Sequence, residues 1–238
     1  MANSISARAL GATYHLLRKF GLLERCKTAF YPLINQVFFI ELLNRTQNFH
    51  TTKWLGQPIL QNTFDLWVIQ ETLAEIKPAL LIECGTNQGG SALYYAHLFD
   101  LMKHGRIISI DVERLHDITH PRIEFLLGSS VAPEIVAHVR QAVQQIGGPV
   151  LVILDSDHST AHVRQELEAY APFVTPGSFI LVQDGMIDVL PLLQGALDSG
   201  PLPALRAFLK EHPEFEVDAA RVARFPITHH PEGWLRRK

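Results

Sequence analysis

Residues 79–91 read Ala-Leu-Leu-Ile-Glu-Cys-Gly-Thr-Asn-Gln-Gly-Gly-Ser. The apolar run from Leu80 to Glu83 predicts a strand buried on both faces, and the run of small residues after it a tight turn. A helix is expected from Gly90 to about Lys103. Gly85, Gly89 and Gly90 allow the backbone to fold sharply and approach a ligand closely, with Thr86 carried on the same loop. Ser91 and the N–H groups that open the helix can hold a carboxylate.

The same alternation continues on both sides of this segment. Strands are predicted at Arg106 to Asp111, Ile123 to Leu127, Val150 to Asp155 and Ser178 to Val182. Helices are predicted from about Pro133 to Ile146 and from about Thr160 to Tyr170. A tail helix at Pro203 to Glu211 and two short strands near Phe215 and Phe225 would complete the sheet with an antiparallel edge. Continuous Val/Ile/Leu strands separated by helices specify an α/β, Rossmann-like fold: a mostly parallel, seven-stranded sheet with helices on both faces. Upstream, a helix is expected from Asp65, read as its N-cap, to Ile76, ended by Pro78, after a polar loop over residues 51–64. Residues 1–50 read as a helical extension, with Leu16, Leu17, Phe20 and Leu23 at helical spacing, so the expected division is 1–50 and 51–238.

The chain has 238 residues, of which 47% are hydrophobic and 19% charged, enough for one substantial α/β core and against disorder. A net charge of −3 argues against an electrostatic nucleic-acid binder. Cys26 and Cys84 have neither the short spacing of a zinc site nor the density of a disulfide framework, which suits a reducing, cytoplasmic setting. No secretory signal is evident, and the apolar stretch from Ala29 to Leu43 is broken by Pro32 and Asn35 and too short to span a bilayer. It is expected to pack on the domain or on another subunit. The basic residues Arg18, Lys19, Arg25 and Lys27 leave membrane-surface contact as the alternative.

In a doubly wound sheet, ligands sit beyond the C-terminal ends of the strands, so Glu83, Asp111 and Asp155 should converge there. The glycine loop matches neither G-x-G-x-x-G nor the lysine-bearing phosphate loop. An acid immediately before the turn would repel a pyrophosphate and suit an ammonium group. Asp111 follows the turn by about 20 residues, the spacing at which an acid receives ribose hydroxyls. An ammonium, a carboxylate and a ribose without phosphate describe S-adenosylmethionine better than NAD. Gly128, Ser129 and Ser130 are placed for its adenine end.

A second constellation follows the later strands: Asp155, Asp157 and His158, then Gln183 and Asp184. Asp155, Asp184 and the amide oxygen of Gln183 form a hard oxygen set suited to Mg²⁺, which lowers the pKa of a bound hydroxyl. His158 or Asp157 would then take the proton. His158 and His162, spaced i, i+4, together with Asp155 also fit the two-histidine, one-carboxylate pattern of an iron oxygenase. His229 and His230, flanked by Pro and Gly, read as loop residues rather than ligands.

At these residues the chain resembles the cephalosporin hydroxylase / rhamnosyl O-methyltransferase family. The resemblance runs from about Thr51 to the C-terminus. It rests on Trp54-Leu55-Gly56, Gln70-Glu71, the segment Glu83 to Ser91, Asp111, Gly128 to Ser130, Ile153 to Ser159 and the tail His230-Pro-Glu-Gly-Trp-Leu-Arg-Arg237. It implies a methyltransferase-type fold, S-adenosylmethionine and a divalent metal, usually Mg²⁺, held by Asp155 and the pair after the fifth strand, with Asp157 or His158 as base. The chain departs at Gln183, where the family usually carries a glutamate. The expected activity is O-methylation of a hydroxyl on a sugar or glycosylated metabolite, by a homo-oligomer with a small-molecule acceptor and no nucleic acid. The alternatives are an oxygenase and a non-catalytic partner protein that binds S-adenosylmethionine.

Overall fold

The structure, a computed structural model, describes residues 15–16, 18–19, 33–41, 48–190, 193 and 199–238. The chain separates into two compact units, Met1–Thr46 and Gln47–Lys238. In the first, residues 33–40 are helical; most of the helical extension predicted over 1–50, Cys26 included, lies outside the described residues.

The second unit opens with a two-stranded antiparallel hairpin, β1 (Lys53–Trp54) and β2 (Gln57–Pro58), inside the segment expected to be a plain loop. Helix α1 (Thr63–Ile76) follows. Then come β3 (Leu80–Cys84), α2 (Gly90–Met102), β4 (Arg106–Asp111), β5 (Ile123–Leu127), α3 (Pro133–Ile146), β6 (Val150–Leu154), α4 (Thr160–Tyr170) and β7 (Phe179–Val182). The tail holds α5 (Met186–Val189), α6 (Pro201–Glu211), β8 (Phe215–Val217), α7 (Ala219–Val222) and β9 (Trp234–Arg237).

These strands form a seven-stranded sheet in the order β5-β4-β3-β6-β7-β9-β8, as the strand–helix alternation predicts. β3 pairs in parallel with both β4 and β6, and β9 runs antiparallel to β7 and β8. Residue alternation along the strands divides two cores. Leu80, Ile82, Ile110, Val152 and Leu154 pack with Val139, Leu167 and Phe208 on one side. Leu81, Ile107, Leu151 and Ile153 pack with Ile69, Leu73, Tyr95 and Phe99 on the other. Each such side chain contributes about 1.5–3 kcal/mol by leaving water. The continuous apolar strands are therefore a consequence of coverage on both faces.

Two local expectations are corrected. The N-cap of α1 is Asn62, whose side chain accepts from the Phe64 N–H, not Asp65. Asp65 lies in the first helical turn and is buried, accepting from Thr228 Oγ1 at 2.6 Å and from the backbone N–H of His229 at 2.8 Å. A buried carboxylate needs such partners, and here two come from the tail and a third from Asn62 Nδ2, which donates to Oδ2 at 3.0 Å. Phe225 lies in a bend rather than a strand, and the strand beside β7 is Trp234–Arg237, with Trp234 packed edge-on to Phe179.

The chain direction across the sheet reverses between β3 and β6, and their tips nearly touch. The Asp155 N–H donates to Cys84 O at 2.8 Å. Gly85 adopts φ +99°, and a Cβ there would stand 1.9 Å from the carbonyl oxygen of Asp155. Gly85→Ala combines left-handed strain with a backbone clash, and is expected to lower unfolding free energy by about 3 kcal/mol or more. Urea denaturation of the variant beside the parent chain measures this.

Candidate active site

Two hollows open over the β3–β6 crossing and share Gly85, Asn87, Asp155 and Ser156 as a common wall. The larger, about 420 Å³, extends across the tips of β4 and β5 and is lined by Asp111, Val112, Gly128, Ser129 and Ser130. The smaller, about 160 Å³, lies under the β1–β2 hairpin and is lined by Ile59, Gln61, Thr86, Ser91, His158 and Asp184. The larger is within the size range of small-molecule sites. Glu83, Gly89 and Gln183 line neither hollow.

The glycine loop is held from behind. Asp111 Oδ2 accepts from the backbone N–H of Thr86 at 2.9 Å and of Asn87 at 2.7 Å, while Oδ1 accepts from Glu113 N–H at 3.2 Å. Three of the roughly four acceptor positions of a carboxylate are thus in use. Thr86 Oγ1 donates to Ser109 Oγ at 2.6 Å, and Ser109 in turn donates to Glu83 Oε2. Glu83 is fully buried beneath the loop. Burial pushes its carboxyl up to about 7, with Ser109 and Ser91 opposing the rise through hydrogen bonds. Above α2, a Cβ on Gly90 would meet Pro58 O at 2.0 Å, and Gln57 donates to Gln88 O at 2.5 Å. The hairpin is seated directly on the loop.

At the second cluster, one ligand atom each from Asp155, His158 and Asp184 lie within 4.8 Å of one another. His158 Nε2 is 3.3 Å from Asp184 Oδ2. Gln61 Nε2 bridges Asp155 Oδ2 at 2.7 Å and Gln183 Oε1 at 2.8 Å. Asp155 is pushed well above the ordinary carboxylate range, first by burial and then by the facing charge of Asp184. Asp184 is also penalised by burial, yet a hydrogen bond from His229 and the fields of His158, His229 and His230 hold it below that range. The carboxylates cannot both be ionised there at low cost without a cation between them, which is what a metal-binding pair requires.

The tail supplies two residues that the sequence marks only as loop. His229 and His230 are both buried. His230 Nδ1 accepts the Asp184 N–H at 3.1 Å, and His229 Nδ1 lies 3.7 Å from Asp184 Oδ1. Asp184 itself sits at φ +57°, a strained position for a non-glycine residue that these contacts maintain. Gln61 was also missed. A polar residue in a presumed loop carries no spacing signal, and neither His229 nor Gln61 falls at a strand end.

The two remaining candidates separate. Asp157 is exposed, and Oδ1 accepts from the Ser159 N–H at 2.8 Å, a contact that lowers its pKa. It borders the larger hollow, whereas His158 borders the smaller one. His162 does not join Asp155 and His158. It turns to Ser130 Oγ at 3.1 Å and Glu166 Oε1 at 3.4 Å, so the two-histidine, one-carboxylate arrangement is not assembled.

The raised Glu83 makes a stability test. Its folded-state value lies above the ordinary 4.5, so its contribution is complete below pH 4.5 and lost as pH rises through about 7. Glu83→Gln removes this titration. Relative to the parent, the variant is expected to gain up to about 3 kcal/mol between those limits. Chemical denaturation at several pH values from 4 to about 8 would read the difference, and a flat difference would contradict it.

The family model described as Rhamnosyl O-methyltransferase/CmcI matches residues 46–238. A rhamnosyl O-methyltransferase of Mycobacterium leprae (strain TN) is 34% identical over 195 residues, covering 79% of this chain and 84% of the relative. One from Mycobacterium tuberculosis (strain ATCC 25618 / H37Rv) is 32% identical over 192 residues, covering 77% of each. A solved structure of CmcI with Mg and SAM superposes with a TM-score of 0.62 at 19% identity, covering 79% of this chain and 77% of that one, and shares the fold.

Proposed function

The chain belongs to the rhamnosyl O-methyltransferase/CmcI family, and we propose that it transfers a methyl group from S-adenosylmethionine to a hydroxyl of a sugar or glycosylated metabolite, assisted by Mg²⁺. The observation that carries this reading is the pair of hollows meeting at Gly85 and Asp155, one behind the glycine loop and one beside an acid pair. A donor in the larger and an acceptor in the smaller would meet at that shared wall.

The donor's amino-acid end fits the turn at Gly85 and Asn87, on the wall the two hollows share, with Thr86 and Ser91 facing that wall from the smaller hollow and Gly89 shaping the turn without lining either. Its ribose fits the remaining acceptor capacity of Asp111, and its base fits Gly128, Ser129 and Ser130. Glu83 supports the loop from beneath through Ser109. The acid pair Asp155 and Asp184 fits a hard divalent cation, because burial and the charge of Asp184 both oppose ionisation of Asp155 and a cation between the two would relieve it. Gln183 Oε1 is the third oxygen proposed for the set; it is committed to Gln61 in this structure and would have to exchange that contact to ligate. Bound there, Mg²⁺ would lower the pKa of an acceptor hydroxyl.

His158 is the better base of the two candidates. It borders the acceptor hollow and is oriented by Asp184, while the Asp157 carboxylate is engaged with Ser159. His158 takes the hydroxyl proton as the acceptor oxygen bonds to the methyl carbon. The carbon–sulfur bond breaks, and the thioether S-adenosylhomocysteine is left. Alignment of the reacting atoms across the shared wall supplies much of the rate.

The name of the mycobacterial relatives points to a rhamnose-type hydroxyl as the acceptor class. No helix among the described residues is long and apolar enough to cross a membrane. A cytoplasmic setting, a domain division near residue 50 and self-association through the N-terminal unit complete the proposal. The Leu33, Ile34, Val37 and Ile40 side chains exposed on that unit support its last part.

Calorimetry with S-adenosylmethionine should show saturable binding that Asp111→Ala weakens at least about tenfold, through loss of both a ligand contact and two loop hydrogen bonds. An absence of heat at any concentration would end the methyl-donor reading. Methyl transfer to rhamnosylated acceptors should stop on chelation by EDTA and return with Mg²⁺. His158→Ala should lower turnover by about 10²–10⁴ with donor affinity retained.

A further inference from the structure

Glu166 lies on the inner face of α4, in register with Val163, Leu167 and Tyr170, where an aliphatic residue would pack without a buried charge. It is fully buried, and its Oε2 has no hydrogen-bond partner among the described residues. A carboxylate in that position is costly. Its other oxygen collects donors from three segments. Ser130 Oγ, from the loop after β5, donates to Oε1 at 2.5 Å. Ser156 Oγ, from the loop after β6, donates at 2.6 Å. His162, one turn earlier on the same helix, stands 3.4 Å away and contacts Ser130 Oγ at 3.1 Å. The phenol of Tyr170 fixes the same loop from below, donating to Ser130 O at 2.6 Å.

Ser130, Ser156 and His162 all line the larger hollow, whereas Glu166 does not. One buried carboxylate thus ties together the two loops and the helix that wall the hollow. We propose that Glu166 is a positioning residue for the base of the methyl donor, holding Ser130, Ser156 and His162 as a polar wall that recognises the aminopurine. The inference rests on the donor reading above and deepens it. Its physical content is preorganisation: two hydroxyls and an imidazole are fixed before the ligand arrives, so binding does not have to order them. A hydrogen bond and ion pair from Glu166 also raise His162 against the effect of burial, which favours a donor N–H on the hollow's wall.

The test separates base recognition from general damage by using two ligands. S-adenosylhomocysteine carries the purine; S-ribosylhomocysteine carries the same amino-acid end and ribose without it. Calorimetry on the full chain should show at least a hundredfold preference for the first. In Glu166→Gln this ratio should fall at least tenfold, with affinity for S-ribosylhomocysteine changed less than threefold. Ser156→Ala removes a single donor and should lower the ratio about threefold to tenfold, which keeps the test available if Glu166→Gln fails to fold. Glu166→Asp, one methylene short of all three donors, should not rescue. An unchanged ratio in folded Glu166→Gln or in Ser156→Ala would overturn the inference and leave the donor reading standing. Failure of the parent chain to bind either ligand would overturn both.

Discussion

The structure depends on how closely the tips of β3 and β6 approach. The Asp155 N–H is bonded to Cys84 O, and the missing side chain of Gly85 is filled by the Asp155 carbonyl. Because the strand order reverses at this pair, the chains leaving them diverge and open a crevice. The loop after β3 leads one way to helix α2, and the loop after β6 leads the other way to α4. Every group assigned to chemistry is placed by one of those departures or by the neighbouring strand ends. A bulkier contact at the crossing would displace both hollows together.

Around that crossing the protein concentrates buried acids. Glu83 and Asp155 sit where burial disfavours charge, Glu166 is as fully buried, and each is treated differently. Glu83 leans on Ser109, Glu166 gathers two serines and a histidine, and Asp155 takes one amide from Gln61 while facing Asp184. The Asp155–Asp184 pair is therefore the place proposed for a divalent cation, where it would gain most from the facing carboxylates. Asp184 owes its orientation to the C-terminal tail, whose histidines are fixed in turn by Asp65 on α1. Elements far apart in sequence thus converge on one carboxylate.

Much of this was legible in the sequence. The continuous apolar strands, with an acid or a glycine turn at each end, gave both the layer architecture and the edge on which the acids gather. Element limits from residue 80 to 182 follow the predicted ones within a residue or two, because the strand–helix rhythm there is unbroken. The tail was less readable. Phe225 looked like a strand residue, but its ring packs against Phe64 at 5.3 Å from a bend. The strand that completes the sheet is instead the short run beginning at Trp234. Asp65 reads as a helix cap because Asp is a favoured capping residue, while two of its three partners, Thr228 and His229, lie more than a hundred residues away. Gln61 and His229 had no periodicity to mark them; only the folded chain brings them to Asp155 and Asp184.

The seating of the β1–β2 hairpin has an evolutionary consequence. Pro58 O occupies the space above Gly90, and Gln57 grips the backbone at Gln88, so the roof over the proposed acceptor space is riveted to the turn proposed to hold the donor. Drift in the hairpin that adapts a descendant to a different glycan must propagate into the donor turn. Lineages that diversify in what they modify are thereby held to correlated changes in these two stretches, and transplanting the hairpin alone between relatives should be a poor route to new specificity.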